Sequence, residues 1–190
     1  FHTVHKELDH PMRHKKTNWH KIIASALQID LREYSHLLAY EQEAVLWKQH
    51  FRIDLIIIRK IYDDRISNSL AQNFRSVNLF ELKGIGSSIT IESFYKTIGY
   101  AGLYASENWQ KHACSMTDIT LFFLNRRLPK KLFQHLEKKC ALHIENPAPG
   151  VYHVICNMFP IYIIVTKKLS PKNFLYLYLS TNDLTNKDLP

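Results

Sequence analysis

The stretch Ile53-Asp54-Leu55-Ile56-Ile57-Ile58-Arg59-Lys60, followed by Phe80-Glu81-Leu82-Lys83, decides how this chain is read. Asp54 interrupts an otherwise apolar, β-branched run, and Glu81 and Lys83 close a second short run that begins at Val77. Runs of this length and composition predict strands. Alternate side chains of a strand share a face, so Glu81 and Lys83 point the same way. If the two strands are neighbours, two carboxylates and an ammonium converge. Two carboxylates about 4 Å apart repel by roughly 4 kcal/mol at an effective dielectric of about 20. A proton, the lysine or a cation must offset that repulsion, and a divalent metal does so where phosphodiesters are cleaved. The competing reading is a structural salt-bridge cluster.

Outward from these strands, Asn18 is placed to cap a helix over 19–32, with Ile22, Ile23, Ala26 and Leu27 as its apolar stripe and Asp30 near it. A strand over 37–47, carrying Glu43 on the parity of Ala39 and Val45, precedes a polar turn at 48–50. With the strand over 51–60 it predicts an antiparallel hairpin. The segment 66–74 reads as a short helix or structured loop, and 77–83 as the third strand. A helix over 88–106 follows, in which Lys96 and Tyr100 share a face; its Gly99 and Gly102 predict close packing onto a sheet. Then come a strand over 119–124, a helix from Pro129 to 139, a proline-rich break at 146–150, a closing hairpin over 151–156 and 161–166, and a last helix over 174–179. The order predicts an α/β fold, a mixed central sheet flanked by helices. Residues 1–17 read as a flexible basic, His-rich arm, 18–180 as a single domain and 181–190 as a polar tail.

Composition narrows the function classes. Of 190 residues, 46% are hydrophobic and 22% charged, which excludes a disordered chain. No apolar run approaches the ~20 residues that span a bilayer, so no membrane association is expected. Three widely spaced cysteines, Cys114, Cys140 and Cys156, fit reduced thiols and a cytoplasmic location. A net charge of +8 points to a polyanionic partner. Arg126, Arg127, Lys130 and Lys131 are the densest basic cluster, continued by Lys138 and Lys139. Four histidines in the arm match no zinc spacing, and no serine or cysteine triad stands out.

The Asp54 strand, the Glu-X-Lys strand and the helix segment Phe94-Tyr95-Lys96-Thr97-Ile98-Gly99-Tyr100-Ala101 together resemble the PD-(D/E)XK nuclease superfamily. More narrowly they are similar to bacterial transposase-associated, recombination-promoting nucleases. The resemblance covers roughly residues 18–168. It implies a restriction-endonuclease-like core of order α-β-β-β-α-β plus a C-terminal hairpin, and a metal-dependent DNA hydrolase tied to transposition, recombination or DNA defence. It implies Asp54, Glu81 and Lys83 as catalytic residues, with Mg²⁺ or Mn²⁺ held by Asp54, Glu81 and the Leu82 carbonyl. Asp30 and Glu43 would support the metal, and Lys96, Tyr100, Arg126, Arg127, Lys130 and Lys131 would contact DNA. The superfamily's proline is absent, Ile53 standing before Asp54, and Asp30 stands where a glutamate is expected. No recognisable DNA-reading insertion accompanies the core. The alternative expectation is therefore a catalytically inactive nucleic-acid-binding or protein-interaction module on the same fold. A third is a homo-oligomer joined through Tyr176 and Tyr178.

Overall fold

The structure, a computed structural model, describes residues 19–42, 45–46, 51–52, 55–62 and 64–181. Asp54 and Glu43, the arm at 1–17 and residues 182–190 of the expected tail lie outside the described residues, while Thr181, expected to open that tail, is buried and closes the last helix instead. Nine strands and four helices are described: α1 (Trp19–Asp30), β1 (Leu38–Gln42), β2 (Val45–Leu46), β3 (Phe51–Arg52), β4 (Leu55–Lys60), β5 (Val77–Leu82), α2 (Ile91–His112), β6 (Ile119–Asn125), α3 (Lys130–Lys138), β7 (Ile144–Ala148), β8 (Val151–Val154), β9 (Ile161–Val165) and α4 (Leu175–Thr181). Seven strands form one mixed sheet in the order β1-β4-β5-β6-β9-β8-β7, and β2 pairs with β3 apart from it. The chain is thus α/β, with helices on both faces of the sheet.

The central strands explain that layering. β5, β6 and β9 are buried at every position, which a strand achieves only when both its faces are covered. β5, β6 and β9 run parallel, while β4 is antiparallel to β5 and β8 to β9. Even-numbered side chains such as Ile58, Phe80, Leu82, Phe122 and Leu124 pack with Ile23 and Leu27 of α1 and Leu177 of α4. Odd-numbered ones such as Ile57, Leu79, Leu121 and Phe123 pack with Phe94 and Ala101 of α2 and Leu132 and Leu136 of α3. The register aligns Phe80, Phe122 and Tyr162 in one row, with ring centroids 4.6 and 5.3 Å apart. Each fully buried ring contributes about 2–3 kcal/mol of hydrophobic stabilisation.

Several sequence expectations are corrected. The strand expected from residue 37 is preceded by a 3-10 turn (Arg32–Leu37) and gives β1 from Leu38. The glycines of α2 do not mark close packing: a Cβ at Gly99 or Gly102 would meet nothing within 4 Å. The helix runs through them to His112, stabilised at its start by a capping box between Thr90 and Ser93. The supposed break at 146–150 is largely strand: β7 includes Pro147 and forms the sheet's edge, where a missing N–H costs little. Gly150, at φ +77, turns the chain from β7 into β8, its Cα within reach of the Val165 carbonyl and Leu169 N–H. The expected hairpin pairings of β1 with β4 and of β8 with β9 are present. No helix among the described residues is long and apolar enough to cross a membrane.

Candidate active site at the carboxyl end of the central strands

Period-two geometry puts Glu81 and Lys83 on the odd face of β5, beneath α2. Lys83 Nζ lies 2.6 Å from Glu81 Oε1, and the two side chains are only 25% and 12% exposed. A half-buried charge pair so close is charge-assisted and little screened by salt. Leu82, between them, turns its side chain to the opposite face, into the α1 cluster. The Lys83 N–H bonds to the Leu124 carbonyl at 3.0 Å, so the parallel ladder holds the pair to the last residue of β5 and beyond.

A cavity of about 230 Å³ opens over this pair. Its walls are Thr90, Glu92 and Ser93 from the start of α2, Lys96 and Tyr100 one and two turns later, and His20 from α1. Lys96 Nζ sits over the Tyr100 ring, 5.5 Å from its centroid, a cation–π contact. The first turn of α2 also brings the positive end of a 22-residue helix dipole to the cavity. A larger cavity of about 540 Å³ lies among Arg75, His153, Met158 and Tyr162, at the amino end of the parallel strands, and no carboxylate lines it.

Three residues that were not expected at this site help to build it. His20 had no context among eleven histidines, yet α1 delivers it to the cavity, with Nδ1 buried and, among the described residues, no hydrogen-bond partner. Gly84, directly after Lys83, lets the Trp19 indole pack onto the backbone, and that contact seats the first turn of α1. Asn125, 2% exposed, accepts from the Ile89 N–H at 3.1 Å and donates to Ser88 Oγ at 3.1 Å and to the Arg127 carbonyl. It thereby ties the end of β6 to the approach to α2 and to the turn before α3. The one sequence signal for it was a polar residue ending an apolar strand.

The other expected site residues divide. Arg126 and Arg127 follow β6, level with the end of β9, where the Lys167 N–H bonds to the Arg126 carbonyl at 3.2 Å. Lys130 and Lys131 open α3 at the same end of the sheet, while Lys138 stands about 12 Å further along that helix. Asp30 is a correction. It ends α1, about 16 Å along the helix from Trp19 and so at the far end from Glu81. There its carboxylate accepts the Tyr176 and Leu177 N–H groups at 3.1 and 2.7 Å, capping α4 instead of supporting a metal.

No family model, curated protein or solved structure matches the chain. The site's chemistry therefore rests on its own donors. Among the described residues no three His, Cys, Asp or Glu side chains come together as a ligand set. Glu81 and the Leu82 carbonyl are oxygen donors of the kind Mg²⁺ takes, and Asp54, outside the described residues, is the remaining donor expected for it.

Proposed function

We propose that this protein is a metal-dependent nuclease that hydrolyses DNA phosphodiester bonds on a restriction-endonuclease-like core. The observation that carries the reading is the Glu81–Lys83 pair, 2.6 Å apart at the mouth of a cavity that Lys96 and the first turn of α2 also line, with Glu92 a second carboxylate in its wall. Asp54, Glu81 and the Leu82 carbonyl would hold Mg²⁺ or Mn²⁺, which when bound acidifies a water and offsets charge on the attacked phosphate. Lys83 orients that water and neutralises charge building on the phosphate oxygens. Lys96 and the first turn of α2 draw the phosphate in, and Tyr100 holds Lys96 over its ring. Arg126, Arg127, Lys130 and Lys131 would take neighbouring phosphates of the same DNA. Leu55 pairs with Glu81 in the ladder, which places the start of β4 beside the ion pair.

The withdrawal of Asp30 to cap α4 favours a second reading, a catalytically inactive nucleic-acid-binding module. One experiment separates the two. Purified protein is incubated with supercoiled DNA in Mg²⁺ or Mn²⁺, beside Glu81→Gln and Lys83→Ala variants with unchanged circular dichroism. Cleavage by the parent alone supports the nuclease. Salt-dependent binding without cleavage by any of the three supports the module, and equal cleavage by all three refutes both assignments of Glu81.

A further inference from the structure

We infer that Cys140, Tyr95 and His135 form a thiol-exchange site, in which Cys140 captures one half of a small anionic disulfide. Tyr95 of α2 meets His135 of α3 and Cys140 just beyond α3. Its Oη lies 2.8 Å from His135 Nε2 and 3.4 Å from Cys140 Sγ. A phenol oxygen both donates its one proton and accepts, so a directed chain through the three groups satisfies both contacts. In one direction the thiol donates to the phenol and the phenol donates to the imidazole. In the other, the imidazolium donates to the phenol and the phenol donates to a thiolate. Moving two protons one step along the chain converts the first arrangement into the second. This is a nucleophile linked to a base through an orienting hydroxyl, the pattern of an activated nucleophile.

The fold holds this chain in place. Phe94, next to Tyr95, is buried and stacked on Phe123 at 5.1 Å, and Leu132 and Leu136 anchor α3. The Cys140 N–H bonds to the His135 carbonyl at 3.2 Å, and Ala141, at φ +52, turns the chain so that the Leu142 N–H returns to Leu136. The Tyr95 and His135 rings meet edge to face, 5.7 Å apart at 90°. Tyr95 is 48% exposed, so an incoming molecule reaches the chain from solvent. The hydrogen bond with Cys140, ahead of burial, raises the Tyr95 phenol above its ordinary value, so it stays protonated and serves as a conduit. Lys138 and Lys139 adjoin the site and favour a negatively charged partner. By contrast Cys114 is buried, and burial pushes its thiol up.

The step balances. Cys140 passes its proton to Tyr95 as Tyr95 passes its own to His135. The thiolate attacks one sulfur of the disulfide, a new S–S bond forms, and the old one breaks. The leaving sulfur departs with that electron pair and takes the proton from His135. Cys140 is oxidised to a mixed disulfide and half of the incoming molecule is reduced to a thiol. This chemistry is independent of phosphodiester cleavage.

The test uses the full chain with 5,5′-dithiobis(2-nitrobenzoate), following release of the coloured thiolate and mapping the first cysteine modified by mass spectrometry. Cys140 is expected first, and Tyr95→Phe or His135→Gln is expected to slow it about tenfold while Cys156 reacts at its original rate. Lys138→Gln with Lys139→Gln is expected to erase the preference for this anionic reagent over cationic cystamine. Earlier modification of Cys114 or Cys156 overturns the inference. So does a Cys140 rate unaltered in both relay variants, the constancy of Cys156 having shown that they are folded.

Discussion

The Trp19 indole lies so close to the backbone of Gly84 that a methyl group on Gly84 would collide with Trp19 Cγ. This contact locks the start of α1 to the residue after Lys83 and brings His20 to the same cavity as the ion pair. Overpacking such a contact costs about 1–3 kcal/mol. Gly84→Ala is therefore expected to lower the urea midpoint without altering the slope. A midpoint equal to the parent's would show that α1 adapts freely.

Asn125 satisfies one backbone donor, one hydroxyl and one backbone carbonyl from a buried position. Asn125→Ala leaves the Ile89 N–H without its acceptor, and the expected loss is about 3 kcal/mol. Hydrogen exchange should show the segments 86–90 and 126–129 opening together, because one side chain joins them. Protection lost in one segment alone would contradict the shared tie.

Burial raises the Asp30 carboxyl above its ordinary 3.8, although hydrogen bonds from Leu177 and Tyr176 act the other way. A folded-state value above the unfolded one means that the folded chain binds the proton more tightly. Stability from this group is then fully present below 3.8 and falls as pH rises through the raised folded value. Asp30→Asn is expected to abolish that fall between pH 3.8 and the raised value, read as the difference between parent and variant in denaturant midpoints. An identical pH dependence in both proteins would exclude Asp30 as the source.

Gly99 is exposed in the middle of α2, with open space where a Cβ would go. Gly99→Ala is expected to stabilise the protein by about 1 kcal/mol through helix propensity. Thermal melting gives the check: an unchanged or lower midpoint would mean that something packs against this face in solution.

The parts of the fold legible in the sequence were those with a local cause. Val77–Leu82 and Ile119–Asn125 read as strands because every residue from Leu79 to Leu82 except Glu81, and from Leu121 to Leu124, is apolar. Glu81 and Lys83 share a face for the simple reason that a strand repeats every two residues. The destination of Asp30 was hidden because its partners Tyr176 and Leu177 are 146 and 147 residues away and offer only backbone N–H groups, which any residue supplies. Asn125 was hidden for the same reason, its acceptor role being spent on a backbone N–H 36 residues distant. His20 looked like any other histidine until Gly84 gave α1 its seat. Pro147 and Asn146 have the composition of a break, and only their place at the sheet's border lets them be strand.

That border has a consequence for behaviour in a crowded solution. Pro147 offers no N–H, and the Asn146 side chain donates to the Ala148 and Val151 carbonyls at 2.8 and 2.7 Å, while the β7–β8 pairing slips between Glu145 and Ala148. A ribbon from another molecule would find an N–H missing from this flank at Pro147. Molecule-upon-molecule extension of the sheet is hindered at this point, which leaves β1, at the opposite flank, as the side to guard.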